Sequence, residues 1–153
     1  MHVLRYSEHI ERPREEVFAY MTDLRTAPRW RNMVRKIEVI GGGPVQQGSK
    51  LLFTLDVMGQ TRQGEVEVWL YDPPHRLGQR NTANGISGVF EYILEPDATG
   101  TTVTLTQDIR PHGLMWLALP LLLLGERRRL RGTLPNLKRA IEQESRVSAS
   151  DKV

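Results

Sequence analysis

The sequence predicts an α+β fold, a run of antiparallel strands followed by one long carboxy-terminal helix, and two periodicities carry the prediction. Between residues 48 and 110, apolar side chains alternate with polar ones in short segments separated by turn signals. Between residues 112 and 144 they step instead by three and four. Leu130, Leu134, Leu137 and Ile141 define one helix face, and counting backward the same face collects Leu123, Leu119 and Trp116. The strand connections are too short for parallel crossovers, so the sheet is antiparallel.

Residues 3–11 set Val, Tyr and Ile among polar neighbours and read as a first strand, stopped by Arg12-Pro13. Pro13 opens a short helix. Glu15 and Glu16 lie in its first turn, at the positive end of its dipole, and Val17, Phe18 and Met21 supply its apolar face. Thr22-Asp23 ends this helix or caps a second one over residues 25–32, which carries Trp30. Trp30 reads as core area and Asp23 as a cap. A strand at 35–40 follows, broken by Gly41-Gly42-Gly43-Pro44.

Leu51, Phe53, Leu55 and Val57 share one face of the next strand. A hairpin about Gly59-Gln60 would set Leu55 opposite Gly64, Phe53 opposite Val66 and Leu51 opposite Val68. Asp72-Pro73-Pro74-His75 turns the chain into a strand at 76–82, and Asn84-Gly85 is a type I′ hairpin signal. Strands at 87–96 and 101–110 flank the turn Asp97-Ala98-Thr99-Gly100, and Pro111 stops the last. Carried through these turns, the inward face holds Leu77, Gln79 and Asn81, then Phe90, Tyr92 and Leu94, then Val103, Leu105, Gln107 and Ile109.

In the long helix Arg128, Arg129, Arg131, Lys138, Arg139 and Glu142 form the solvated side, whereas residues 114–124 are apolar all round. Pro120 and Pro135 each remove an amide donor, which predicts a bent helix, and the weakened turn at Pro120 would let the segment before it swing as a gate.

A chain of 153 residues fits one domain, here residues 1–145, with a disordered tail at 146–153. The absence of cysteine excludes disulfides and thiolate chemistry. His2, His9, His75 and His112 lack the short spacing of a metal site, so neither a metal nor another cofactor is expected. The net charge of +3 is modest, and the cluster Arg127, Arg128, Arg129 and Arg131 reads as a solvated helix face rather than a nucleic-acid surface. The amino terminus lacks the apolar core of a secretory signal, so the expected location is cytoplasmic. The apolar run at 114–124 falls short of the ~20 residues needed to cross a bilayer but could lie on one, peripheral to the membrane.

The order of strand, two short helices, six strands and long helix, together with Ile10-Glu11-Arg12-Pro13-Arg14-Glu15-Glu16-Val17-Phe18, Asp23 and Trp30, resembles the START-like SRPBCC superfamily. It is most similar to the polyketide cyclase/dehydrase branch. The resemblance extends through the Gly100-Thr101 turn to Leu137-Lys138. It implies a helix-grip fold, a curved seven-stranded antiparallel sheet wrapped round the long helix with an elongated cavity between them. Members of the superfamily carry lipids, hormones, quinones or polyketides, and a minority catalyse cyclisation, dehydration or hydrolysis. Their cavity residues vary, so no catalytic residue carries over.

The expected function is therefore binding of a hydrophobic or aromatic small molecule. A polyketide cyclase, dehydratase or hydrolase using the same cavity is the alternative, and a membrane- or protein-docking module the second. The candidate ligand contacts are Phe53, Leu55, Arg62, Gln79, Asn81, Phe90, Tyr92, Leu105, Gln107, Trp116 and Leu123. Gln79, Asn81, Tyr92 and Gln107 are polar on a covered face. They bond one another, or a ligand, or the register is inverted. Arg62 meets an acidic ligand group or reaches water. Tyr92 and Glu8 are the candidate catalytic groups, with the inward or outward face of the first strand left open. Residues 114–131 form the cavity roof, a membrane-surface element or a homodimer contact.

Overall fold

The structure, a computed structural model, describes residues 2–83 and 86–150. Seven strands, β1 (His2–Ile10), β2 (Val34–Val39), β3 (Lys50–Val57), β4 (Gln60–Asp72), β5 (Arg76–Ala83), β6 (Ile86–Pro96) and β7 (Thr101–Pro111), form one antiparallel sheet. Its order is β1-β7-β6-β5-β4-β3-β2, so a meander from β2 to β7 is closed by the first strand and the sheet ends on β1 and β2. Register shifts between Val34 and Lys36 and between Val68 and Leu70 mark bulges, which bend the strands and curve the sheet. The expected Asn84-Gly85 turn lies outside the described residues.

Two helices, α1 (Arg14–Thr22) and α2 (Ala27–Trp30), joined by a 3-10 turn over Leu24–Thr26, follow β1. Asp23 does the capping its position suggested: its carboxylate accepts from the Arg25 amide at 3.1 Å and starts the 3-10 turn. α1 buries Val17, Phe18 and Met21 as its pattern required, with Phe18 edge-on to Tyr71 at 5.6 Å.

The carboxy-terminal segment departs from a single bent helix. It divides into a 3-10 helix (Gly113–Ala118), α3 (Leu119–Arg131) and α4 (Thr133–Ser150). Pro120 and Pro135 bend nothing, because each falls in the first turn of a helix, where a missing amide costs no intrahelical bond. The discontinuity is Gly132, whose carbonyl accepts from the Asn136 amide to begin α4. Pro120 is therefore no hinge inside a helix, and the gate inferred from it loses its physical basis. Residues 146–150, expected in a disordered tail, continue α4, since no glycine or proline there stops a helix. The last three residues lie outside the described residues.

The hairpin between β3 and β4 turns at Met58-Gly59 rather than at Gly59-Gln60. Leu51 thus faces Val66, Phe53 faces Gly64 and Leu55 faces Arg62. A type I′ turn needs positive φ at both central residues, and Met58 (φ 51°) accepts it so that Gly59 (φ 79°) holds the second place. The register moves by two residues, so every side chain keeps its face.

The face of α4 read from the sequence is the buried one. Leu134, Leu137 and Ile141 pack with Ile10, Leu94, Val103 and Leu105 into one end of the grip. Each such side chain contributes about 1.5–3 kcal/mol on burial. Lys138 Nζ donates to the His9 carbonyl at 2.7 Å, tying α4 to the β1 edge. Toward the other end α3 rides over the sheet, and there the interior is not filled.

Candidate functional site

A cavity of about 130 Å³ opens between the concave face of β3 to β6 and the junction of α3 with α4. Its apolar wall is Val34, Phe53, Leu55, Val66, Phe90 and Leu130. Its polar groups are Arg31, Asn32, Gln79, Asn81, Tyr92, Arg129 and Thr133, with the exposed Glu65 at its rim. Period-two alternation delivers the sheet residues, because Phe53, Gln79, Asn81, Phe90 and Tyr92 all occupy inward positions of paired strands. At Gly88, opposite Asn81, an added Cβ would lie 2.8 Å from Asn81 Oδ1, so the missing side chain leaves room for the amide.

Arg31 is the chemical centre of this cavity. It follows the last residue of α2, and its guanidinium lies 4.4 Å from the centre of the Trp30 ring and 5.6 Å from those of Phe53 and Tyr92. Nη1 donates to Gln79 Oε1 at 3.3 Å, whereas the buried Nε has no partner. Burial pulls the guanidinium below its usual pKa. Tyr92 acts against that shift and the nearby Arg129 charge adds to it. Arg31 sits deep in the protein yet is only half covered, because part of its surface borders the cavity. Trp30 below it is sealed in the core, its indole donating to Thr26 Oγ1 at 3.3 Å and its ring edge-on to Tyr92 at 6.1 Å.

Arg129 forms the far wall. Nη2 donates to Glu126 Oε2 at 2.6 Å, Gln107 Nε2 donates to the same oxygen at 3.0 Å, and the guanidinium lies 5.7 Å from the Phe90 ring centre. Beyond this wall is a second cavity of about 190 Å³, lined by Asn81, Ile86, Gly88, Phe90, Gln107, Ile109, Glu126 and Arg129. The two cavities share Asn81, Phe90 and Arg129. Gln107 Oε1 is buried beside the second without a partner.

The expected contacts separate accordingly. Phe53, Leu55, Gln79, Asn81, Phe90 and Tyr92 line the first cavity, and Gln107 the second. Leu105 is fully buried in the core. Arg62, opposite Leu55, is exposed and donates to Gln60 Oε1 at 2.9 Å. Trp116 stands half exposed in the 3-10 helix, and Leu123 packs against the core from α3. Neither lines either cavity. Glu8 pairs with Val103 and so shares the inward face, half-buried, but it too lines neither. Arg31, Asn32, Glu126, Arg129 and Thr133 were missed. Arg31 and Asn32 lie in a connection without periodicity, and Arg129 and Glu126 lie in a run whose charge suggested solvent.

No residue lining the first cavity is serine, cysteine or histidine, and Thr133 donates its hydroxyl to the Arg129 carbonyl at 3.4 Å. A hydroxyl or thiol nucleophile activated by an imidazole is therefore not built here. The site can hold an apolar body against aromatic and aliphatic walls and orient polar atoms through guanidinium and amide groups.

The family described as polyketide cyclase/dehydrase and lipid transport matches residues 1–142. The chain belongs to that family. Among solved structures, the Zhui aromatase/cyclase of a Streptomyces species superposes with a TM-score of 0.80 at 17% identity, covering 96% of this chain and 97% of that one. A Thermus thermophilus protein gives 0.72 at 18% identity over 94% of this chain and 99% of its own. One from Nitrosomonas europaea gives 0.73 at 14% identity over 94% and 96%. No curated protein matches the chain in sequence. At these identities the likeness is one of fold, the helix-grip fold of the START-like SRPBCC superfamily. Membership of the polyketide cyclase/dehydrase family supports a hydrophobic-ligand-binding or cyclase role.

Proposed function

We propose that this protein binds a hydrophobic or aromatic small molecule, of the lipid, quinone or polyketide kind, in the cavity between sheet and carboxy-terminal helices. The observation that carries the reading is the convergence of Arg31, Gln79 and Asn81 on a space walled by Val34, Phe53, Leu55, Val66, Phe90 and Leu130. Polar groups that orient a ligand within an apolar enclosure are the ordinary anatomy of such sites. The cyclase, dehydratase or hydrolase alternative uses the same space, with Tyr92, which lines it, as the proton-transfer group and the walls fixing the substrate's folding. Native mass spectrometry of protein purified from its own host tests the binding reading: a retained apolar ligand supports it. Turnover of polyketide-like compounds that is lost in Tyr92→Phe transfers support to catalysis.

A second reading concerns the outer side of residues 114–131. Leu114 (85% exposed), Leu117 (84%) and Leu121 (74%) present apolar side chains to solvent, with Leu124 and Trp116 about half exposed. Arg127, Arg128 and Arg131 are exposed on the helix that follows. Leucines beside arginines match an anionic lipid surface, with the apolar groups entering the acyl boundary and the guanidinium groups meeting headgroups. No helix among the described residues is long and apolar enough to cross a membrane. We infer from the leucines and arginines that this edge serves peripheral docking in preference to a homodimer contact.

A further inference from the structure

Arg31 holds a positive charge inside the protein without an anion to balance it. Its neighbours with electrostatic influence are a phenol, Tyr92, and a second cation, Arg129, and among the described residues no carboxylate pairs with it. The Glu126 carboxylate on the far wall is already taken by Arg129 and Gln107, and Glu65, which also lines the cavity, is exposed. Removing a charge from water costs several kcal/mol per ion unless it is paired and hydrogen-bonded. Three aromatic rings offset only part of that, since Trp30 alone is close at 4.4 Å while Phe53 and Tyr92 lie at 5.6 Å. With Nη1 turned to Gln79 and the covered Nε without a partner, the guanidinium has donor capacity left unused where it borders the cavity, and its planar fork suits the two oxygens of a carboxylate.

Resting on the binding reading above, we propose that the ligand is an acid: a small aromatic or short alkyl carboxylate whose carboxylate docks on the Arg31 guanidinium where it borders the cavity, while its apolar body lies between Phe53, Leu55, Val66 and Phe90. The cavity, about 130 Å³, suits a body of one ring, since an apolar cavity of ~150 Å³ accepts benzene. A longer body would have to displace the Phe90 and Arg129 side chains to reach the second cavity, which those residues wall off. The Glu126 carboxylate at that wall disfavours a second acidic group there, so the acid points toward Arg31 and not away from it.

Calorimetric titration with benzoate and with the neutral isostere benzamide tests this. The wild-type protein is expected to bind the acid at least tenfold more tightly than the amide, and Arg31→Gln to lower the acid to the level of the amide. Arg31→Lys, which keeps the charge but not the planar fork, is expected to retain only part of the preference. Equal binding of acid and amide by the wild-type protein overturns the acid and leaves the apolar cavity standing. A preference that persists in Arg31→Gln also overturns it, since the anion is then read elsewhere. Binding of neither compound overturns this proposal together with the binding reading. The wild-type comparison decides even where a variant does not fold.

Discussion

The Arg31 guanidinium is stacked 4.4 Å from the centre of the Trp30 ring, so the side chain that seals the core and the side chain that charges the cavity are consecutive in the chain. Trp30 is 1% exposed and contributes packing, whereas Arg31 borders the cavity with an unpaired donor. Their roles separate on substitution. Arg31→Met keeps volume and removes a buried unbalanced charge, so unfolding free energy is expected to stay within about 1 kcal/mol of the wild-type value. Trp30→Ala empties core volume and is expected to cost about 3–5 kcal/mol. Urea denaturation checks both, and a loss above about 2 kcal/mol in Arg31→Met would make that residue structural.

The break between α3 and α4 is held by one amide. Asn32 Nδ2 donates to the Arg129 carbonyl at 3.0 Å, and Asn32 Oδ1 accepts from Asn136 Nδ2 at 3.1 Å. Asn32→Ala leaves the Asn136 amide without this partner and the Arg129 carbonyl with only the Thr133 hydroxyl, in a half-buried place, and is expected to cost about 1–3 kcal/mol. Hydrogen exchange should rise first in the amides around Gly132, and exchange unchanged there would show that the break is held by packing alone.

The sheet was legible because short turns transmit parity. Placing the β3–β4 turn one residue late moved the pairing by two, and Phe53, Leu55 and Val66 still faced inward. The long helix was legible only where it is continuous. Leu130, Leu134, Leu137 and Ile141 are buried as counted, but Trp116 was reached by counting back through the start of α3 into a 3-10 helix, where the phase no longer holds. Arg31 had no period to betray it. Its burial follows from the short α2 ending over Phe53 and Tyr92, a relation between distant strands that no local pattern encodes. Arg129 looked like its neighbours Arg128 and Arg131, and only its position over Phe90 distinguishes it.

The turn that joins β6 to β7 should set acid stability at the β1 edge. His9 Nε2 lies 3.1 Å from Asp97 Oδ1, and this bond, with that from the Thr99 amide, lowers the Asp97 pKa to about 2. The folded-state value lies below the unfolded one, so the carboxylate stabilises the protein at pH above about 4 and the contribution is lost as pH falls toward 2. Melting curves of wild type and Asp97→Asn are expected to differ by a constant amount above about pH 4 and to converge near pH 2. A difference that persists unchanged at pH 2 would assign the effect to shape and not to charge.

The exposed leucines and arginines of residues 114–131 should confer affinity for anionic lipid. Flotation with phosphatidylserine-containing vesicles is expected to carry the protein upward, and added salt or the pair Arg127→Glu with Arg128→Glu to weaken that association. Leu117→Ser with Leu121→Ser should weaken it at any salt concentration. A dimer in sedimentation that dissociates in the leucine variant and ignores both anionic and neutral vesicles would assign the same face to self-association.

The central claim, that the space under α3 is a ligand site, is tested most directly by filling it. Val66 lies on the cavity wall facing Leu51 across the sheet, half-buried, so Val66→Phe projects a ring into the space without removing any core group. Calorimetric titration with the neutral one-ring probe toluene is expected to give saturable binding with the wild-type protein and a loss of at least tenfold in affinity with Val66→Phe, at a melting temperature within a few degrees of wild type. Toluene affinity unchanged in the filled variant, or no saturable binding to the wild-type protein, would contradict the account.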